Sequence, residues 1–301
     1  MGDLTAAGIT LALARWLVWI GALLIVGSAG ASALLRRADI LRASPAQHTG
    51  DNVARLGAAG ALLLTLGLAA VLVAQAVSWF GLADWLDADN LAILTTGTRW
   101  GQTWTIAAGA AVVALILTLA AVMRPARRGA MAIAAALLAA LSVPLIGHGA
   151  GDGVLNWLLH ATHLAGAGLW IGALAVLARA TWLMWRDDST SVETLTALLR
   201  RFSPLALSGA GLLIASGAIL AVEHIAPLDA LWTTPYGRTL LVKLTLVASV
   251  AAIGWRNWQR LVPAAAATGR TRPLRNSLKL ELTVSLIGVL LVTAWLSGLP
   301  I

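Results

Sequence analysis

Residues 154–185 read VLNWLLHATHLAGAGLWIGALAVLARATWLMW, thirty-two positions in which Arg179 is the sole permanent charge. A hydrocarbon core of roughly 30 Å is crossed by about 20 helical residues, so this stretch is long enough to span it. Seven further apolar runs of comparable length lie outward from it, near 9–35, 53–80, 99–123, 129–147, 202–222, 236–262 and 275–299. The pattern predicts an all-α, polytopic integral membrane protein of eight transmembrane helices, with the lipid bilayer as its main partner. Composition agrees: 59% of residues are hydrophobic, 11% are charged and the mean hydropathy is +0.84, which excludes an ordinary soluble domain. The first run has Asp3 before it instead of basic residues and exceeds the apolar region of a secretory signal, so it is retained as a helix.

Charge gives the expected orientation, because short cytoplasmic loops collect Lys and Arg. Arg36, Arg37, Arg42 and Arg55 join spans 1 and 2, and Arg124, Arg127 and Arg128 join spans 3 and 4. Arg179, Arg186, Arg200 and Arg201 follow span 5, and Arg256, Arg260, Arg270, Arg272, Arg275 and Lys279 follow span 7. Thus 17 of the 21 basic residues fall on one side, which predicts an inner-membrane protein with both termini extracytoplasmic. The net charge of +8 is then topology, and no nucleic-acid partner is expected. The opposite side carries Asp84, Asp87, Asp89, Asp152, Glu223 and Asp229, with four of the five histidines. Tryptophans such as Trp79, Trp85, Trp100, Trp157, Trp185, Trp232 and Trp258 fall near span ends, as in an interfacial belt.

The segment Trp170-Ile171-Gly172-Ala173-Leu174 recurs in span 1 as Trp19-Ile20-Gly21-Ala22-Leu23. Thr95-Thr96 with Trp100-Gly101-Gln102-Thr103 before span 3 is echoed by Thr233-Thr234 with Tyr236-Gly237-Arg238-Thr239 before span 7. Both echoes are four spans apart, an offset that preserves membrane direction. Two parallel four-helix repeats are therefore expected, 1–128 and 129–301, the second bearing the histidines. The span 1 positions matching His160 and His163 are Ile9 and Ala12, so a histidine site belongs to the second half alone.

Several short motifs lie in a fixed order in that half: Gly147-His148-Gly149, His160-Ala-Thr-His163, Trp170-Ile171-Gly172, Arg201-Phe202-Ser203, Tyr236-Gly237-Arg238 to Lys243, Arg256-Asn257 and Glu281. In order and spacing they resemble the copper resistance protein D (CopD) family over most of 147–290, and more loosely through Thr95–Trp104. The resemblance implies a bacterial inner-membrane protein that takes copper from the extracytoplasmic side and moves or delivers it across the membrane. It is not expected to be an enzyme. With no soluble copper-chaperone domain in the sequence, the copper-donor protein is expected to be a separate periplasmic one.

The side chains can be weighed for that chemistry. The chain has no cysteine and four methionines, of which Met123, Met131 and Met184 lie towards the basic side, so imidazole and carboxylate are the donors available on the other. His160 and His163, at i and i+3, share one helix face and rank first as metal ligands. His148, in a Gly-rich loop able to fold over them, ranks next, and His224 with Glu223 last; His48 falls on the basic side. Lys243, Arg15 and Glu281 lie within spans, where ionisable groups are costly and default to function; Glu281 is expected to face Arg256, Arg201 or another polar group. Lys243 has two outlets, snorkelling or a carboxylate such as Glu223. Two alternatives stay open: a protein binding haem b, which usually needs axial histidines from facing helices, and a ligand-free membrane assembly partner. No P-loop or GxGxxG is present, so no nucleotide is expected. A reporter enzyme fused after Ile301 should be active only if it works outside the cytoplasm; activity of a cytoplasm-dependent reporter there would reverse the topology.

Overall fold

A computed structural model gives the architecture and describes residues 6–37, 44–147, 153–184, 192–224 and 228–296. The described residues contain eight helices long and apolar enough to cross a membrane: Gly8–Arg36, Thr49–Asp84, Arg99–Met123, Pro125–Ile146, Gly153–Arg179, Leu195–Val222, Pro235–Thr268 and Arg272–Leu296. In lipid, backbone polar groups have no water to bond, and an α-helix satisfies them within one segment. In finer detail the elements are α1 Ala6–Arg37, α2 Ser44–Asp84, α3 Ala88–Thr96, α4 Arg99–Met123, α5 Arg128–Ser142, α6 Gly153–Ala167, α7 Ala173–Met184, α8 Val192–His224, α9 Ala230–Thr233, α10 Pro235–Arg256, α11 Val262–Thr268, α12 Arg272–Thr283 and α13 Leu290–Leu296. Wider π-helical turns at Gly168–Gly172, Asn257–Leu261 and Val284–Val289 join α6 to α7, α10 to α11 and α12 to α13.

Span 1 is central, and it packs through small residues, which let helices in lipid approach backbone to backbone. On α2, Gly60 lies against Leu24 and the Gly21 carbonyl, while Gly57 lies against Ser28 and Gly67 against Val18. As the α2 numbers rise the α1 numbers fall, so the two helices are antiparallel. On its other side α1 meets the π turn of span 5, where Gly27 abuts the Gly172 backbone and Gly172 abuts the Leu23 carbonyl. Each Trp-Ile-Gly-Ala-Leu glycine thus lies in a helix crossing. Two buried clusters result, one around Leu23, Ile25, Leu64 and Leu68, the other around Trp170, Leu174, Leu177 and Leu274.

Tryptophans do more than line an interface. Trp16 Nε1 donates to the Leu286 carbonyl (2.8 Å), Trp104 Nε1 to that of Leu68 (3.0 Å) and Trp157 Nε1 to that of Leu141 (2.8 Å), each reaching a different span. Leu286 lies in a π turn and Leu141 beside the tightened turn at Val143–Ile146, where α-helical carbonyl bonding is interrupted. Trp79, Trp232 and Trp258 are exposed, as belt residues are.

The mouths of spans 3 and 7 are built alike. Thr98 Oγ1 accepts from Gly101 N (2.9 Å) and donates to the Leu94 carbonyl (2.7 Å). Thr234 Oγ1 accepts from Gly237 N (3.0 Å) and donates to the Ala230 carbonyl (2.7 Å). Gln102 Nε2 bonds the Thr96 carbonyl (3.0 Å) and Arg238 Nε the Trp232 carbonyl (2.8 Å), at matching offsets. The sequence pairing of Thr95-Thr96 with Thr233-Thr234 is therefore two residues out of register: Thr98 is the counterpart of Thr234, because the cap places the threonine three residues before the glycine.

On the basic-loop side, Arg128 forms an ion pair with Asp51 and also donates Nε to the Ala121 carbonyl (3.2 Å), joining spans 2, 3 and 4. A methyl group at Gly27 would meet the Gly172 backbone, which has no rotamer with which to yield. Gly27→Ala should cost about 1–3 kcal/mol, read as a lower melting temperature in detergent, whereas Ala at Gly109, which faces open space, should leave it unchanged.

Candidate metal site

Span 5 carries the two leading histidines on α6, with Asn156, His160 and His163 at successive i+4 and i+3 positions on one face. The spacing makes a polar stripe in an otherwise apolar helix. The stripe meets α8, brought close where Gly166 and Gly209 pack against each other's carbonyls. At that contact His163 Nδ1 lies 3.2 Å from Ser216 Oγ. Ser216 Oγ is itself 2.6 Å from the Leu212 carbonyl, a bond that uses the hydroxyl's one proton. Towards His163 the hydroxyl is thus an acceptor, which puts the imidazole proton on Nδ1 and leaves Nε2 with its lone pair. A fixed tautomer and ring direction are what a metal-ligating histidine needs from its surroundings.

Gly217 supplies the space for that ring. A Cβ there would stand 2.8 Å from His163 Cε1 and 3.1 Å from Nδ1. His160 Nε2 is buried. Lys243 is half-buried, and a pairing with Glu223 falls outside the described side chains. Ser216, Gly217 and Asn156 escaped the sequence reading, although Asn156 one turn before His160 carried a usable signal.

The remaining expected ligands stand differently. His148 lies outside the described residues, and so do the side chains of Glu223, His224 and His48. The His224 backbone ends α8 eight residues beyond Ser216, roughly 12 Å along the helix axis. Among the described residues no three His, Cys, Asp or Glu side chains converge into a metal-holding group. His160 and His163 share one face of α6.

Glu281 is 3% exposed in span 8, and its carboxylate accepts from Asn257 Nδ2 at 2.7 Å. The expected partners Arg256 and Arg201 are both exposed; Asn257, the alternative polar neighbour, takes their place. One residue step turns a helix by about 100°, so the face that buries Asn257 directs Arg256 outward. Arg15 is half-buried in span 1.

The all-helical spans and their motifs coincide with one family along the chain. Residues 1–157 match the copper resistance protein D-like N-terminal domain and residues 196–296 match copper resistance protein D, and the chain belongs to that family. Among characterised relatives it is similar to the copper transport protein CutJ of Bacillus subtilis (strain 168), at 32% identity over 143 residues. That similarity covers 48% of this chain and 25% of CutJ, so the chain corresponds to only a quarter of the relative's length. No solved structure matches.

The tautomer can be read directly. Nitrogen NMR of the histidine rings should show His163 protonated at Nδ1, with Ser216→Ala giving a mixture of tautomers. An unchanged ring in that variant would remove Ser216 as its orienting group.

Proposed function

We propose that this chain binds copper at His160 and His163 on the extracytoplasmic side of an inner membrane and passes it across the bilayer. The observation that carries the reading is the ordered His163 ring: Nδ1 engaged by Ser216, Gly217 beneath it, and His160 one turn away on the same face. Two imidazoles on one helix face suit copper, which imidazole nitrogen binds well without thiolate. The donor set fits the family and the name of its relative. Copper is cargo here, so a site of few ligands serves release as well as capture. His148 is the next ligand in this reading, and His224 with Glu223 the last.

Seventeen basic residues on one side favour both termini outside, and a separate periplasmic protein is the proposed copper donor. The matching threonine caps at the mouths of spans 3 and 7 support two parallel four-helix halves. Lys243 and Arg15, basic residues within spans 7 and 1, disfavour an open funnel for free cations and favour delivery from a docked donor. Haem b finds less support, since the described histidine side chains share one helix and cannot grip a haem from opposite faces.

Purified protein should carry copper and show no Soret absorption. Replacing both His160 and His163 by alanine should lower bound copper at least tenfold while the bundle remains folded. Full copper stoichiometry in the double variant would move the site elsewhere, and a Soret band would favour the haem reading.

A further inference from the structure

A second polar centre lies in span 8 and its neighbour, away from the histidines. Glu281 is nine residues in from Arg272, roughly 14 Å along the helix, and is almost wholly buried. One carboxylate oxygen accepts from Asn257 Nδ2 at 2.7 Å, and the other faces Gly254, where a Cβ would stand 3.1 Å away. Asn257 Oδ1 is buried with no hydrogen-bond partner among the described residues. Ser277 Oγ, one turn before Glu281 on the same face, is buried and unpartnered likewise. Asn257 and Ser277 are 5% and 6% exposed, so water does not readily answer these atoms.

The backbone is irregular at the same place on both helices. Asn257 opens the π turn Asn257–Leu261, and Val284–Val289 follows Glu281 within one turn. Such insertions cost helix regularity and are frequent at functional sites. Ser285 sits inside the second turn and donates to the Glu281 carbonyl at 2.7 Å, fixing the local backbone.

Among the described residues an ionised carboxylate in this position has no cation to answer it. Arg256, Arg260, Lys279 and, on α7, Arg179 are exposed, and Arg275 is half-buried; among the described residues none lies within ion-pair distance of Glu281. Burying a lone charge at membrane depth is expensive, and the charge is removed by binding a positive ion. The two carboxylate oxygens of Glu281 with Asn257 Oδ1 and Ser277 Oγ make four at most, too few for the six or more that magnesium or calcium takes. No thiolate, thioether or imidazole is present among them to hold copper(I). A proton needs only the carboxylate and an amide beside it.

We propose that Glu281, with Asn257 and Ser277, forms a proton-binding site inside the bundle, loaded from the basic-loop side of the membrane. Glu281 takes a proton from water on that side to become a neutral carboxylic acid, and returns it by the same path. The Asn257 amide serves both states, its NH2 donating to the carboxylate and its oxygen available to accept from the acid. The site is independent of the histidines and of what they bind.

Infrared spectroscopy of the full chain in lipid nanodiscs, without added copper, tests this. At pH 7 the wild type should show a carboxylic-acid carbonyl band, shifted in D2O and lost in Glu281→Gln, while Asn257→Leu moves the band without abolishing it. The Gln variant keeps the shape of the side chain and should match the wild-type melting temperature. A wild type with no such band, or a band that survives in Glu281→Gln, overturns the proposal. Disappearance of the wild-type band on adding magnesium or copper(I) at constant pH overturns it too, because the site would then hold a metal ion.

Discussion

The close passage of span 1 against span 5, where Gly27 and Gly172 meet backbone to backbone, is the contact on which the arrangement of the bundle depends. In lipid there is no hydrophobic force to draw one apolar helix to another, so association rests on packing and on the few polar bonds available. Glycine at both positions lets two helices from different halves of the chain approach further than any larger pair would. Spans 1 and 2 lock through Gly21 and Gly60 in the same way, and span 1 thereby becomes the axis that carries both halves. Trp16 adds a bond from this axis to the π turn of span 8. Span 6 is then set against span 5 by Gly166 and Gly209, which delivers Ser216 to His163.

Polar groups in such a bundle are few, and each is costly unless matched. The polar groups around His163 and around Glu281 meet that cost differently. Around His163 the partner is the Ser216 hydroxyl, an arrangement that fixes the direction of the ring. Around Glu281 the partner is an amide, and two further oxygen atoms are left unanswered. The first centre offers nitrogen lone pairs and the second offers oxygen alone, so the same physical expense yields different ion chemistry. In the proposed reading, copper capture belongs to the first and proton binding to the second.

Much of this was legible in the sequence because membrane helices announce themselves by length: Arg99–Met123 is one apolar run and begins and ends where the run does. The histidine pair was legible for a similar reason, since i and i+3 positions share a face whatever surrounds them. Other features depend on contacts that spacing cannot supply. Four threonines precede the two mouths in the echoed motifs, and only the cap hydrogen bonds show that Thr98 is the counterpart of Thr234. For Glu281 simple charge attraction pointed to arginine, yet Arg256 faces outward and its neighbour Asn257 faces in. Ser216 and Gly217 gave no warning, because their role exists only once Gly166 and Gly209 have brought two helices together.

The central claim is that copper is held by imidazole nitrogen from His160 and His163. X-ray absorption spectroscopy of the copper-loaded chain in lipid tests it most directly, since nearest-neighbour scattering identifies the ligand atoms and imidazole rings add a characteristic outer-shell pattern. The account predicts nitrogen scatterers with two imidazole rings, both lost when His160 and His163 are replaced. A first shell containing sulfur, or imidazole scattering that persists in the double variant, would contradict it.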